Sequence, residues 1–212
     1  MLPFIFKFYR CLYPSLISLL IFAITTTSVT AVDLNTIEAY LNSVQTLKAK
    51  FIQINNDGSQ SSGTIWLEKP GKIRFEYDEP SSLLVVSNSG FTAVIDRLSN
   101  TPPQRYFTKN IPLSFMVEEN VNLSEKEISF ALTESEDTIQ LDIFKDRLES
   151  ERELSIKFNI DPFTISGWTV QTPTGENIKV NLLDTEFNLK LSEEWIFGIG
   201  GEIQNHMRKI SE

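Results

Sequence analysis

The chain has 212 residues, a formal net charge of −9, 41% hydrophobic residues and a single cysteine, Cys11. A chain of this length can bury one substantial core, and its acidic charge disfavours nucleic acid and anionic lipid head groups as primary partners. Because Cys11 lies in an N-terminal segment that we expect to be removed, a disulfide, a thiolate metal site and a cysteine nucleophile are excluded from the remaining chain.

The first 31 residues have the pattern of a secretory signal peptide. Lys7 and Arg10 precede an almost continuously apolar run over 12–24, and small residues lead to Ala31. The run is shorter than the roughly 20 residues of a spanning helix, which weighs against the alternative of a retained membrane anchor. We expect cleavage after Ala31, export of the chain and a single domain over 32–212.

One amphipathic helix is predicted at the start of the mature chain, over 34–47. Asn35 is its candidate N-cap, with Glu38 three residues later. The apolar residues that recur at helical spacing are Leu34, Ile37, Leu41, Val44 and Leu47.

Beyond this helix the apolar period falls towards two, which predicts short strands separated by turns. A short helix over 111–118, with Pro112 in its first turn, interrupts them. The predicted strands are 51–54, 63–67, 73–77, 83–86, 91–98, 105–108, 128–133, 138–144, 153–160, 165–171 and 178–187. Strands at this spacing predict one antiparallel sheet that curls or closes.

The alternation is clearest in the third predicted strand. It predicts a dry face with Ile73, Phe75 and Tyr77, and a wet face with Arg74, Glu76 and Asp78. The same alternation along the other strands predicts an inward-facing apolar set, and it suits an ordinary core as well as a cavity. That set includes Ile65, Leu67, Ile73, Phe75, Tyr77, Phe91, Ile95, Ile139, Leu141 and Ile143.

The residue types that most enzymes require are scarce in this sequence. The single histidine, His206, lies in a polar C-terminal stretch, where we interpret it as a solvated tail residue. Neither a Gly-x-Ser-x-Gly element nor a phosphate loop, dinucleotide fingerprint or zinc-ligand spacing occurs. Carboxylates are numerous enough for a two-acid hydrolase, but they lie in predicted turns or beside Lys and Arg. We therefore expect no enzyme activity, no cofactor and no metal.

A stretch around the predicted 63–77 hairpin carries a family resemblance. Trp66, Pro70, Gly71, Arg74, Phe75 and Tyr77 form the pattern Trp-x3-Pro-Gly-x2-Arg-Phe-x-Tyr. This pattern, preceded by the N-terminal helix, resembles the periplasmic outer-membrane lipoprotein carrier family, the LolA-like carriers. The resemblance is strongest over 34–90. It implies an α+β fold, an incomplete and half-open antiparallel β-barrel of about ten or eleven strands, capped by about three helices around an apolar cavity.

The resemblance also implies a function. Such a carrier binds the acyl chains of lipoproteins in its cavity and shuttles them from an inner-membrane ABC transporter complex to an outer-membrane acceptor. We expect it to act as a monomer. Two alternatives remain open: an adaptor that senses lipids or lipoproteins, and a carrier of another amphiphile such as a glycolipid.

The family pattern suggests which residues close the cavity. It places an arginine just before the hairpin proline, where it closes a lid by hydrogen bonding to helix backbone, and an aromatic residue four positions later. Here those positions hold Lys69 and Ile73. Lys69 lacks the planar fork of arginine but can still donate to carbonyls, so we assign lid closure to it, with an exposed turn lysine as the alternative.

The predicted helix over 111–118 corresponds to the family's lid helix. Its apolar residues include Met116, a soft side chain that suits variable apolar cargo and equally an ordinary core. We add Met116 to the predicted cavity set. Trp66 and Trp168 suit packing on the outer face as well as a chamber wall, and we leave them out of that set.

Overall fold

The computed structural model describes residues 32–124, 129–144, 152–172, 174–191 and 194–211. The predicted signal peptide, with Cys11, lies outside the described residues, and so does Ile128 at the start of one predicted strand. Among the described residues, no helix combines the length and the apolar run that crossing a bilayer requires.

One antiparallel sheet of 11 strands forms the body of the domain. Its strands are β1 Thr46–Ile54, β2 Gln60–Glu68, β3 Lys72–Tyr77, β4 Leu83–Asn88, β5 Phe91–Asp96, β6 Gln104–Phe107, β7 Ser129–Glu134, β8 Thr138–Phe144, β9 Arg152–Asn159, β10 Thr164–Gln171 and β11 Asn177–Phe187. The spatial order is β6-β5-β4-β3-β2-β1-β11-β10-β9-β8-β7. Pairing of β1 with β11 joins two meanders, and within the described chain β6 and β7 remain two separate edges. The predicted open antiparallel sheet is confirmed.

In the described part of the chain, five helical segments accompany the sheet. They are α1 Leu34–Ser43, α2 Ile199–Ser211 and three short 3-10 helices, η1 Thr108–Asn110, η2 Pro112–Val117 and η3 Glu194–Phe197. Helix α1 ends before the predicted boundary, and Leu47 belongs to β1. Its N-cap is Asp33 rather than Asn35, because the Asp33 carboxylate accepts a hydrogen bond from the Thr36 N–H at 2.8 Å.

The sheet has two differently covered faces. Its inner face carries most of the core and lies against α1 and η2, with Phe51, Ile65 and Leu141 among its buried residues. Its outer face carries a smaller cluster under α2, formed by Leu84, Val86, Ala93 and Ile95 with Ile199 and Ile203. Strands β4 and β5, which α2 covers, therefore bury side chains on both faces.

The prediction of a polar C-terminal tail with a solvated His206 is wrong. Helix α2 packs on the outer face, where only 4% of His206 is exposed and its Nε2 lies 2.9 Å from the Thr101 carbonyl oxygen. Lys209 donates to the Arg97 carbonyl one turn further along. The polar residues of this stretch thus anchor the helix to the sheet.

The predicted wet face of β3 is also wrong at Arg74, which is 1% exposed. Its guanidinium pairs with Glu76 at 2.8 Å and with Glu202 of α2 at 2.9 Å, and it lies 5.1 Å from the centre of the Trp195 ring. A buried arginine is stable only when paired, and here β3 supplies Glu76, α2 supplies Glu202 and η3 supplies the Trp195 ring.

Candidate functional site

A row of aromatic side chains crosses the inner face of β1, β3 and β10. The Phe51 ring lies edge-on to Tyr77 and to Phe75, with centroid distances of 5.0 and 5.6 Å, and Phe75 meets Trp168 at 6.1 Å. The Tyr77 hydroxyl donates to the Gln53 side chain at 2.7 Å. Burial raises the pKa of Tyr77 to about 12, so the phenol stays a neutral donor.

Gly63 makes this row possible. A Cβ at position 63 would lie 2.7 Å from the Phe51 ring and 2.3 Å from the Glu76 carbonyl oxygen. Only glycine leaves room for the Phe51 ring at this point of β2.

Helix η2 lies over the centre of the inner face and almost fills the space beneath it. The remaining cavity has a volume of about 10 Å³, close to that of a single water probe. Its lining residues come from the sheet and from η2: Leu47, Ile65, Leu67, Ile73, Leu113, Met116 and Trp168. We call these seven residues the inner chamber. An apolar guest can enter it only if η2 moves.

Most of the predicted cavity residues lie together. Buried in the main cluster are Ile65, Leu67, Ile73, Met116, Ile139, Leu141 and Ile143, with Phe75 and Tyr77 partly buried against it. Trp168, which we left out of the predicted set, is 4% exposed and lines the chamber. Trp66 lies on the other face, where its ring meets Trp195.

Phe91 and Ile95 require a correction, because the structure does not bring them to the inner face. Ile95 pairs with Leu84 across β4 and β5, and both are buried beneath α2. Phe91 is on the same side as Ile95 and is 51% exposed. The alternation within β5 was predicted, but the side on which its apolar residues lie depends on α2.

The β2–β3 turn is bonded to both covering elements, and Lys69 provides the side-chain bond to α1. Its ammonium donates to the Leu41 carbonyl in the last turn of α1 at 2.9 Å, and its side chain is buried. The Lys69 N–H donates to the Gln45 carbonyl at 2.9 Å, and the Gly71 N–H donates to the Val117 carbonyl of η2 at 2.7 Å. Because the last carbonyls of a helix have no partner within it, the Lys69 ammonium satisfies a group that is otherwise left open.

The surroundings of Lys69 perturb its charge. Burial lowers the pKa of the Lys69 ammonium, and the nearby Glu118 carboxylate opposes this shift. The lowered pKa indicates that desolvation offsets part of the energy of the hydrogen bond.

Helix α1 is tied to the segment that follows η2. The Asn42 amide donates to the Val121 carbonyl and accepts from the Val121 N–H, each at 2.8 Å. The Glu38 carboxylate accepts from the Leu123 N–H at 2.7 Å. Together with the Lys69 bond, these hydrogen bonds hold α1 against the β2–β3 turn and the segment after η2.

The inner face continues past the aromatic row towards β4 and β5. Val85 pairs with Phe75 and with Val94, so all three side chains lie on the same side of the sheet. Val85 and Val94 are half-buried. The chamber is therefore flanked by apolar surface that η2 does not fully cover. Among the described residues, no group of three or more His, Cys, Asp or Glu side chains is placed to hold a metal ion.

The chain matches a known protein family and several relatives. The family model described as "Outer membrane lipoprotein carrier protein LolA" matches residues 42–196, which is more than half of the chain. Proteins named outer-membrane lipoprotein carrier protein from Legionella pneumophila (strain Paris) and Methylococcus capsulatus are each 36% identical to this chain, over 77 and 59 residues. These matches cover 34% and 26% of this chain, and only 37% and 28% of the two relatives.

A solved structure also resembles the fold. It is a putative outer membrane lipoprotein-sorting protein domain from Vibrio parahaemolyticus, with a TM-score of 0.44 and 14% sequence identity. The alignment covers 76% of this chain and 92% of that one.

Proposed function

The chain belongs to the outer membrane lipoprotein carrier family, and from this premise we propose that it shelters lipoprotein acyl chains between the inner face of its sheet and η2. The observation that carries the proposal is the inner chamber itself. Its walls are apolar, its residual volume is about 10 Å³, and one of its walls is a short 3-10 helix rather than a strand. A short helix can be displaced without breaking the sheet, since it contributes nothing to the strand ladder.

The energetics favour an acyl chain that displaces the side chains of η2 over one that fills a cavity already open. In the closed state Leu113 and Met116 cover Ile65, Leu67 and Ile73. An acyl chain that displaces them replaces one apolar contact with another and gains about 0.8 kcal/mol for each methylene removed from water. A long chain therefore outcompetes the cover, and the cover closes again once the chain has left.

Lys69 gives the cover a defined closed position. Its bond to the Leu41 carbonyl fixes the β2–β3 turn against α1, and the Gly71 bond to Val117 fixes the same turn against η2. A charged hydrogen bond of this kind is worth about 1.5–3 kcal/mol, less the cost of desolvating the ammonium. This is small enough for cargo to overcome. We therefore propose that Lys69 is the closing residue of the lid.

Membership of this family implies a carrier rather than a catalyst and a periplasmic location. Our proposal adds the finer steps: export with a signal peptide cleaved after Ala31, loading from an inner-membrane ABC transporter complex, and delivery to an outer-membrane acceptor by a monomer.

The proposal can be tested by placing a charge directly beside the inner chamber, at Phe75. Phe75 contacts Phe51 and Trp168, so Phe75→Glu would put a carboxylate among apolar side chains. Burying such a charge costs several kcal/mol unless it is neutralised. We expect loading of a purified triacylated lipoprotein to fall at least about tenfold.

Leu183→Glu is the matched control, because Leu183 is a strand residue that is already 45% exposed. It should load normally. Circular dichroism must show that both variants are folded. Normal loading by a folded Phe75→Glu protein would contradict the proposed chamber.

A further inference from the structure

A groove of about 820 Å³ lies on the outer face of the sheet, between the start of α2 and strands β5 and β6. We call it the outer groove. Phe91 and Phe107 line it on the sheet side, and Ile199, Gly200 and Ile203 line it on the helix side. Its volume lies within the range of about 300–1,000 Å³ that is typical of sites for small molecules.

The outer groove is separate from the inner chamber. Ala93 lines the groove and pairs with Val86 and Arg105 on the neighbouring strands. Val94, the next residue, lies on the inner face opposite Val85, because consecutive side chains of a strand alternate. The sheet therefore separates a molecule in the groove from the chamber beneath η2.

Two aromatic rings stay exposed along the groove. Phe91 is 51% exposed and Phe107 is 55% exposed, and their ring centres are 5.3 Å apart. Single exposed apolar side chains are ordinary, but adjacent ones that line a concavity mark a binding surface. The groove thus offers a flat apolar strip beside the exposed edge strand β6.

The charge near this strip is opposite to that of the whole chain. Among the described residues that line the groove, Arg105 is the one side chain charged at neutral pH, and it is exposed. The Lys109 ammonium lies 6.0 Å from the centre of the Phe107 ring. In a chain of net charge −9, this local positive charge favours an anionic group.

We propose that the outer groove is a second binding site, which takes a single-chain amphiphile with an anionic head group. The alkyl chain lies along Phe91, Phe107 and Ile203, and the head group lies at Arg105. The size of the groove suits one small molecule, the aromatic strip suits an alkyl chain, and the isolated guanidinium suits a carboxylate or phosphate. This site does not depend on the carrier function proposed above.

Two glycines at the start of α2 provide a matched pair of variants. Gly200 lines the groove and Gly201 does not, and a Cβ at either position would meet no atom within 4 Å. Leucine favours a helix more than glycine does, so both Gly200→Leu and Gly201→Leu should fold. Only the first of them places a side chain where the ligand would lie.

The experiment is a titration of the whole mature protein with decanoate below its micelle concentration, followed by isoleucine methyl NMR. The Ile203 methyl reports on the groove, and the Ile73 methyl reports separately on the inner chamber. We expect a saturable shift of the Ile203 signal. Gly200→Leu should weaken this binding at least about tenfold, while Gly201→Leu leaves it unchanged.

The contribution of the charge is tested with Arg105→Gln. This variant should weaken decanoate binding by up to about fivefold and leave the binding of uncharged decanol unchanged. The proposal is overturned if decanoate does not shift the Ile203 signal, or if both leucine variants weaken binding equally. A response to phosphatidylglycerol vesicles without any response to decanoate would also overturn it, because the face would then bind membranes.

Discussion

Lys69→Met removes the ammonium that joins the β2–β3 turn to α1 and keeps most of the apolar stem of the side chain. It leaves the Leu41 carbonyl, now 2.9 Å from the lysine Nζ, without this donor. Lys69→Arg is the companion variant, since it restores a donor with a longer reach and a planar fork. The two backbone bonds of the same turn, to Gln45 and Val117, remain in both variants.

The expected magnitude follows from two opposing contributions. A hydrogen bond from a charged donor is worth about 1.5–3 kcal/mol. Lys69 is buried, so its ammonium loses hydration in the folded protein, which also lowers its pKa. Because this desolvation opposes the hydrogen bond, we take the lower end of the range. A loss of about 1.5 kcal/mol makes opening of the cover about tenfold more frequent.

Hydrogen exchange measures this opening directly in the cargo-free protein. We expect the amides of α1 and η2 to exchange about tenfold faster in Lys69→Met and at the original rate in Lys69→Arg, with unchanged exchange in β9 and β10. In the same variant, transfer of cargo to the acceptor should change more than loading does. Unchanged exchange together with a normal transfer rate would show that Lys69 is only a turn residue.

Three further predictions concern other parts of the molecule. Gly63→Ala should lower the free energy of unfolding by about 3 kcal/mol in chemical denaturation, because its Cβ would lie 2.7 Å from the Phe51 ring; a stability equal to wild type would refute the close approach. Burial alone would raise the pKa of Glu76, but hydrogen bonds from Arg97 and Arg74 outweigh it and lower that pKa below the usual 4.5. The Glu76 carboxylate therefore stabilises the fold above about pH 4.5, and its contribution is lost as the pH falls through the lowered pKa. The free energy of unfolding of wild type should exceed that of Glu76→Gln at neutral pH, and this difference should shrink in acid. N-terminal sequencing of secreted protein should give Val32, and an intact Met1 in the membrane fraction would contradict this.

The strand pattern was predictable because the alternation of apolar residues is a local property. Predicted strands and observed ones agree closely from β3 onwards, and the strand predicted over 138–144 coincides with β8 Thr138–Phe144. The end of α1 was harder to predict. Val44 and Leu47 continue its helical spacing, but the helix ends before Val44. Leu47 belongs to β1 instead, because its pairing with Leu67 and Phe187 outweighs the local spacing.

The two faces of the sheet could not be assigned from alternation alone. Arg74 and Ile95 lie on the same side of the sheet, yet the sequence pattern suggested a wet face for one and a dry face for the other. Both are buried because α2 covers them. The sequence signal for α2 is weak, since Gly200 and Gly201 disfavour a helix locally, and packing on the sheet compensates for them. Lys69 was singled out through the family resemblance, and its role in closure stays a prediction. Trp168 was left out because alternation alone did not reveal its side.

Native mass spectrometry of the protein purified from the periplasm can show whether lipoproteins occupy the inner chamber. If the inner chamber carries lipoproteins, a fraction of the protein should have a mass increased by one triacylated lipoprotein, and Phe75→Glu should abolish this species while Leu183→Glu retains it. A free glycolipid in place of the lipoprotein, or a lipoprotein adduct that is equally abundant in Phe75→Glu, would contradict the account.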